Sequence, residues 1–281
     1  MSSPFTLVGV GRATSGGRGF ERLRVPPPGS GVCVRCRGPM ATGPNTAECW
    51  CCRAISAQLG EDGRHRPPMI AMWACRPGDD VHRLLRLYKD GPVSERRARF
   101  TAVLATALRS FVARHEACIR RAVGPVDAVA IVPSSRPGAL TRDHRCHPLA
   151  SVVQDVAIVA GADVVTLARG TEPAAHLRAS RRAFAADGEL GGRRVLMTED
   201  TWVTGARARS AAAAVTDAGG VVVGMLVLGR AIDPTASAKA GRWWLQARRE
   251  TAARPDDCGL QASTRWAAIG DGNFSGLALP S

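Results

Sequence analysis

Between residues 79 and 122 apolar side chains recur every three to four positions: Val81, Leu84, Leu85 and Tyr88, then Phe100, Val103, Leu104, Ala107, Leu108 and Phe111. That spacing lays an apolar stripe along a helix. Gly91-Pro92 interrupts the stripe, so two helices are predicted. After Gly124-Pro125 the texture changes. Short β-branched runs at 126–132, 163–167, 194–197 and 220–228 alternate with Ala-rich stretches at 148–159 and 206–218. Strands alternating with helices predict an α/β fold, a mostly parallel sheet flanked by helices. Ligands of such sheets sit beyond the carboxyl ends of the strands. A last helix carrying Trp243 and Trp244 is expected over 236–251, then a tail.

The flanks read differently. Residues 1–31 are rich in Gly, Arg, Ser and Pro and are expected to be a flexible leader. Gly9-Val10-Gly11 looks like the start of a dinucleotide fingerprint, but no helix follows it. Cys33-x2-Cys36, twelve residues, then Cys49-x2-Cys52 is a four-thiolate zinc pattern. Each pair directs two sulfurs to one point, and two pairs complete a tetrahedron with no open position, so the site is structural. Cys51 lies inside the second pair and can exchange roles with Cys49; a disulfide or redox pair is the competing reading. Cys75, Cys118, Cys146 and Cys258 are scattered and expected to be unligated. His115 reads as helix surface or core, and His144-Arg145-Cys146-His147 as the start of a helix. The expected units are thus a leader (1–31), a zinc-ribbon-like module (32–78), a helical segment (79–124), a core (125–232) and a C-terminal helix with tail (233–281).

Composition narrows the chemistry. With 5% aromatics among 281 residues, the core must be built mainly from Ala, Val and Leu. The formal charge is +14, and Lys89 and Lys239 are the only lysines. Arginine's planar fork suits phosphate and carboxylate, so phosphorylated metabolites and nucleic acid are candidate partners; a compositional bias of the whole chain explains scattered arginines equally well. The longest apolar run, 221–228, is too short to span a membrane. The first twenty residues lack the apolar stretch of a secretory signal, so a reducing, cytoplasmic setting is expected.

The most informative stretch is Val195-Leu196-Met197, then Glu199-Asp200, then Thr201-Trp202-Val203-Thr204-Gly205-Ala206-Arg207, opening a helix. Free N–H groups and the positive end of the helix dipole suit an anion at that helix start. Thr204 adds a hydroxyl, and Gly205 lets backbone approach closely. Two carboxylates just before the cradle would repel phosphate but can accept hydrogen bonds from vicinal ribose hydroxyls. A sugar 5-phosphate meets both demands; an ordinary strand-turn-helix with a solvated acidic pair is the alternative. Upstream, the 126–132 strand ends in Pro133-Ser134-Ser135-Arg136, whose hydroxyls, turn amides and guanidinium suit a diphosphate.

The 195–207 stretch is similar to the signature of type I phosphoribosyltransferases. The resemblance implies that Glu199 and Asp200 hold the ribose of phosphoribosyl pyrophosphate, and that Thr201, Trp202, Val203, Thr204, Gly205, Ala206 and Arg207 surround its 5-phosphate. It likewise implies that Ser134, Ser135 and Arg136 take the pyrophosphate with Mg²⁺, and that 168–192, with Arg169, Arg178, Arg181 and Arg182, is a mobile lid. Thr198, Val203 and Arg207 depart from the signature. A zinc ribbon, a helical segment containing Tyr88-Lys89-Asp90, this core and Ala183-Phe184 before it resemble the ComF family over residues 33–230. Members are commonly assigned phosphoribosyl or amidophosphoribosyl transfer, and some are linked to DNA uptake. Arg145-Cys146-His147-Pro148-Leu149 stands where members carry an Arg-Gly-Phe-Asn-Gln-like run.

The expected activity is transfer of ribose-5-phosphate to a nitrogen acceptor with release of pyrophosphate, Glu199, Asp200 and Arg136 being the candidate catalytic residues. Two other classes remain open: a non-catalytic adaptor or sensor on the same fold, for which Val203 and Arg207 speak, and a nucleic-acid-binding protein using the zinc module and basic surface.

Overall fold

The computed structural model describes residues 22–41, 47–61, 67–91, 93–133, 148–153, 156–253 and 260. Seven strands are found among them: β1 (Met69–Cys75), β2 (Ala128–Ile131), β3 (Asp163–Val165), β4 (Leu167–Arg169), β5 (Phe184–Ala186), β6 (Arg194–Trp202) and β7 (Val221–Ala231). The helices are α1 (Trp50–Leu59), α2 (Asp80–Asp90), α3 (Ser94–Val123), α4 (Pro148–Val153), α5 (Ala206–Asp217) and α6 (Ala238–Ala253). Five strands form one sheet in the order β1-β7-β6-β2-β3, every neighbouring pair parallel. β4 and β5 make a separate antiparallel ribbon. No described helix is long and apolar enough to cross a membrane.

The central strands are near-continuous apolar runs because both faces of the sheet are covered. Along β7, Val223, Leu226 and Leu228 enter the core under α2 and α3, while Val222, Met225 and Val227 enter the core on the other face. From Met225 onward that alternation is the period of two of an extended chain, and an irregularity between Val222 and Gly224 shifts it by one residue. The second core also contains Ala208, Ala211 and Val215 of α5 together with Cys33, Cys36 and Cys52. The cysteine module therefore packs on the α5 face. From β2 the chain goes to β3 on one side and later returns to β6 on the other. This reversal opens a crevice at the carboxyl ends of β2 and β6, where α/β sheets bind ligands.

Several elements differ from expectation. β6 does not end before the acidic pair but runs through Glu199 and Asp200 to Trp202. Thr198, which looks like a break in the apolar run, is fully buried and donates its hydroxyl to the Ala130 carbonyl at 3.2 Å. The helix expected over 148–159 is α4 followed by a 3-10 turn, Ala157–Val159. β1, unassigned by pattern and lying within 32–78, is an edge strand of the sheet, beside β7. The expected leader is described from residue 22, and there it is packed: Leu23 and Val25 are buried against Ala74, Trp243 and Trp244, and the Ala74 amide donates to the Leu23 carbonyl at 2.7 Å.

Candidate functional site

The cysteine cluster forms because a turn carries Cys33 and Cys36, while Cys49 precedes α1 and Cys52 lies in its first turn. Their four sulfur atoms lie within 4.8 Å of one another. The Cys33 and Cys52 sulfurs are 3.8 Å apart, and those of Cys36 and Cys49 are 3.6 Å apart. A zinc–sulfur bond of about 2.3 Å gives a tetrahedron edge of about 3.8 Å. The cluster therefore fits zinc, with Cys49 rather than Cys51 as the fourth ligand. Backbone amides of Gly38 and Cys49 donate to the Cys36 and Cys33 sulfurs at 3.4 and 3.3 Å. Hydrogen bonds from Cys33 and its neighbours, with the Arg230 guanidinium adding to them, hold the Cys36 thiol well below its usual range.

Two buried arginines from outside the module, one on α5 and one on β7, fasten it to the core. Arg209 of α5, 3% exposed, donates to the Cys52 carbonyl at 2.9 Å and the Ser56 hydroxyl at 2.7 Å, and pairs with Glu61. Arg35, within the module, bonds the same Ser56 hydroxyl and Glu61 carboxylate. Arg230 of β7, 4% exposed, donates to the Cys36 carbonyl at 2.8 Å.

At the carboxyl end of β6 the two acids are both buried, each 8% exposed. Asp200 accepts hydrogen bonds from the Tyr88 hydroxyl at 2.8 Å and from Lys89, both on α2. Burial first, then the Asp200 carboxylate, holds the Tyr88 phenol well above its usual range, so it remains a donor. Glu199 is different: its Oε2 is buried without a hydrogen-bond partner among the described residues. Burial, opposed by Arg207 and reinforced by Asp200, pushes its carboxyl up to about 8. One acid is thus held by a phenol and an ammonium, while the other keeps a buried carboxyl oxygen without a protein donor among the described residues.

After Trp202 the chain turns through Val203 and Thr204 into Gly205, whose φ of 86° is the left-handed conformation glycine favours. A Cβ at Gly205 would stand 2.1 Å from the Trp202 ring, so the residue is fixed by packing as well as by φ. The N-cap residue Gly205 has no side chain to cap α5; the Ala206 amide donates to the Thr204 hydroxyl at 3.4 Å, and the amides that follow it in the first turn have no acceptor within the helix. Thr201, Thr204 and Arg207 are half-buried, Ala206 is buried, and Val203 is 48% exposed. Trp202 is buried in the cysteine-side core, and its indole N–H has no described partner. Arg207 donates to the carbonyl of Pro133, at the end of β2, and so spans the crevice. The Thr204 hydroxyl donates to the His176 carbonyl. Ser134, Ser135, Arg136 and the 144–147 cluster lie outside the described residues.

The segment expected as a mobile lid is fastened at several points, because it is a β4–β5 ribbon whose connection docks on α1 and α5. The Ser180 amide donates to the Ser210 hydroxyl at 3.0 Å, and Gln58 bonds the Leu177 carbonyl and the Ala179 amide at 3.1 and 2.6 Å. Arg181 pairs with Asp217 and donates to the Leu59 carbonyl, and Arg182 lies 3.8 Å from Glu172. Arg178 is exposed. Sequence reasoning gave no site role to Tyr88, Lys89, Arg209 or Arg230. Lys89 carried a usable signal, since a chain that uses arginine almost throughout keeps a lysine there.

No protein-family model matches the chain, and no curated protein matches it. Among solved structures, it is similar to the orotate phosphoribosyltransferase of Mycobacterium tuberculosis H37Rv in complex with inorganic phosphate. The identity is 19%, the match covers 58% of this chain and 92% of that one, and the TM-score is 0.30.

Proposed function

We propose that the β6–α5 loop holds the ribose 5-phosphate of phosphoribosyl pyrophosphate, bound with Mg²⁺, and that the chain transfers ribose-5-phosphate to a nitrogen acceptor with release of pyrophosphate. The observation that carries this is the start of α5, its N-cap a glycine without a side chain, one short turn after two buried acids at the carboxyl ends of β2 and β6. The α5 amides, with Thr201, Thr204 and Arg207, take the phosphate. The unpartnered oxygen of Glu199 is assigned to a ribose hydroxyl or to a water on the metal, and its carboxyl, pushed up to about 8, would lose its proton as the cation binds. Asp200, braced by Tyr88 and Lys89, is a fixed negative charge beside the sugar as positive charge develops there. Ser134, Ser135 and Arg136, directly after Pro133, are assigned to the pyrophosphate, whose charge Mg²⁺ neutralises when bound.

A second reading rests on its own observation. Thr204 and Arg207 already spend hydrogen bonds on the His176 and Pro133 carbonyls, which favours a protein that binds the sugar phosphate without turning it over. Calorimetric titration with phosphoribosyl pyrophosphate and Mg²⁺, alongside a pyrophosphate-release assay over a panel of bases and amines, separates the two. Binding weakened at least tenfold by Asp200→Asn, with pyrophosphate release, supports transfer. Binding without release supports the second reading. Absence of both overturns the site.

A further inference from the structure

The cysteine cluster and the β6–α5 loop are joined through one side chain. Arg230 sits opposite Trp202 in the parallel pairing of β6 and β7. Its Nε donates to the Cys36 carbonyl at 2.8 Å, and its Nη2 faces the Cys36 sulfur at 3.7 Å. Its Nη1 points the other way, to the carbonyls of Trp202 at 3.1 Å, Val203 at 2.8 Å and Ala231 at 2.8 Å. The planar fork is thus divided between a metal knuckle and the entrance to the loop. The knuckle is shaped to admit it, since a Cβ at Gly38 would lie 2.3 Å from Nη2.

Charge sharpens the assignment. Arg209, the other buried link, pairs with Glu61, so its charge is balanced locally. Among the described residues no carboxylate forms an ion pair with Arg230; Glu199, which feels its charge, is an acid that burial pushes up to about 8. A buried guanidinium without a counter-charge is costly. Four thiolates and one divalent zinc carry a net charge of −2, and Cys36 is the ligand that Arg230 touches. The loaded centre is therefore the counter-ion of Arg230, and the carbonyls of Trp202 and Val203 are what Arg230 holds in turn. Trp202 packs against Gly205, which starts α5.

We propose that Arg230 is a positioning residue through which the four-cysteine metal centre sets the conformation of the β6–α5 loop. This rests on reading that loop as an anion site, but the coupling itself is measurable without any ligand. By linkage the effect is reciprocal: metal favours the anion-binding loop, and a bound anion retains metal.

The test compares full-length zinc-loaded protein with Arg230→Met, Arg230→Lys and, as a control, Arg209→Met. Backbone hydrogen exchange is followed over the loop and the turn it starts, 203–210, where the Arg209 amide donates to the Gly205 carbonyl at 2.9 Å, and, as an internal reference, over the β6 core. In the wild type, chelating the metal should speed exchange in the loop at least tenfold while the β6 core keeps its protection. Arg230→Met and Arg230→Lys, with metal content confirmed, should exchange at the fast rate already when loaded, since neither side chain supplies the fork. Arg209→Met should keep a slow loop. Inorganic phosphate should slow the loss of zinc to a chelator in the wild type and not in the Arg230 variants, which a merely structural role would not produce. A loaded Arg230 variant whose loop stays as protected as the wild type overturns the proposal. If chelation unfolds the whole chain, or Arg230→Met does not fold, the loaded Arg230→Lys protein decides alone. If neither phosphate nor phosphoribosyl pyrophosphate binds any form, the sugar-phosphate reading falls, and the exchange rates still decide the coupling.

Discussion

Glu199→Gln isolates the energetics of the buried acid. The substitution keeps the shape and removes the ionisation. The carboxyl binds its proton more tightly in the folded state, its value rising from 4.5 to about 8, chiefly through burial. A group raised in this way contributes stability in full below pH 4.5 and loses it as pH rises through about 8. Each tenfold change in proton affinity is worth about 1.4 kcal/mol, so the whole difference amounts to roughly 5 kcal/mol. Some of it is spent below pH 5 and above pH 9, which leaves about 4 kcal/mol between those two values. Urea unfolding of the zinc-loaded wild type and Glu199→Gln at pH 5 and pH 9 reads it directly, because other titrating groups cancel in the comparison. The glutamine protein should gain about 4 kcal/mol on the wild type from the lower to the higher pH. A difference that stays constant within about 1 kcal/mol would mean that Glu199 is charged in the folded protein at neutral pH, and the argument from burial would be wrong.

Three further outcomes are expected. Gly205→Ala combines a left-handed backbone with a Cβ 2.1 Å from the Trp202 ring, so urea unfolding should show a loss of about 2–4 kcal/mol; an unchanged midpoint would contradict the packing. Metal analysis should find one zinc per chain in Cys51→Ser and less than one, easily lost to chelator, in Cys49→Ser; the reverse pattern would make Cys51 the ligand. Arg209→Met removes a buried partner of Glu61, which Arg35 still pairs, and should cost about 3 kcal/mol in chemical unfolding; a loss under about 1 kcal/mol would show that the link to Cys52 is not structural.

What the sequence made legible follows from how local each signal is. β7 is evident because a strand covered on both faces has apolar residues at nearly every position, and α5 because a glycine and a helical alanine run lie side by side. The metal pattern is local too, two short pairs whose geometry follows from spacing. β1 was hidden because its hydrogen-bonding partner, β7, lies about 150 residues away, and because it falls inside the 32–78 span read as the cysteine module. The full length of β6 was hidden for the opposite reason. Acidic residues are poor strand formers, and Glu199 and Asp200 stay in the strand because α2, more than a hundred residues earlier, supplies Tyr88 and Lys89 to Asp200. The β4–β5 ribbon has three-residue strands in basic, glycine-containing sequence, which carries no periodicity to detect.

The arginines show most clearly where composition stops informing. A net charge of +14 admits an anionic partner or a compositional bias, and both readings place arginine at the surface. Arg35, Arg37, Arg209 and Arg230 are instead buried. A guanidinium offers five donors in one plane, enough for Arg230 to serve carbonyls of the cysteine turn and of the β6–α5 loop at once, where a lysine would offer three from a single nitrogen. Such a residue is invisible in sequence because its partners are backbone atoms, which leave no side-chain signature. It is also unusually exposed to the state of its neighbours, because a buried cation that bonds neutral carbonyls depends on whatever negative charge lies next to it. In this fold that charge belongs to the four sulfurs, which is why the loop and the metal centre should respond to one another.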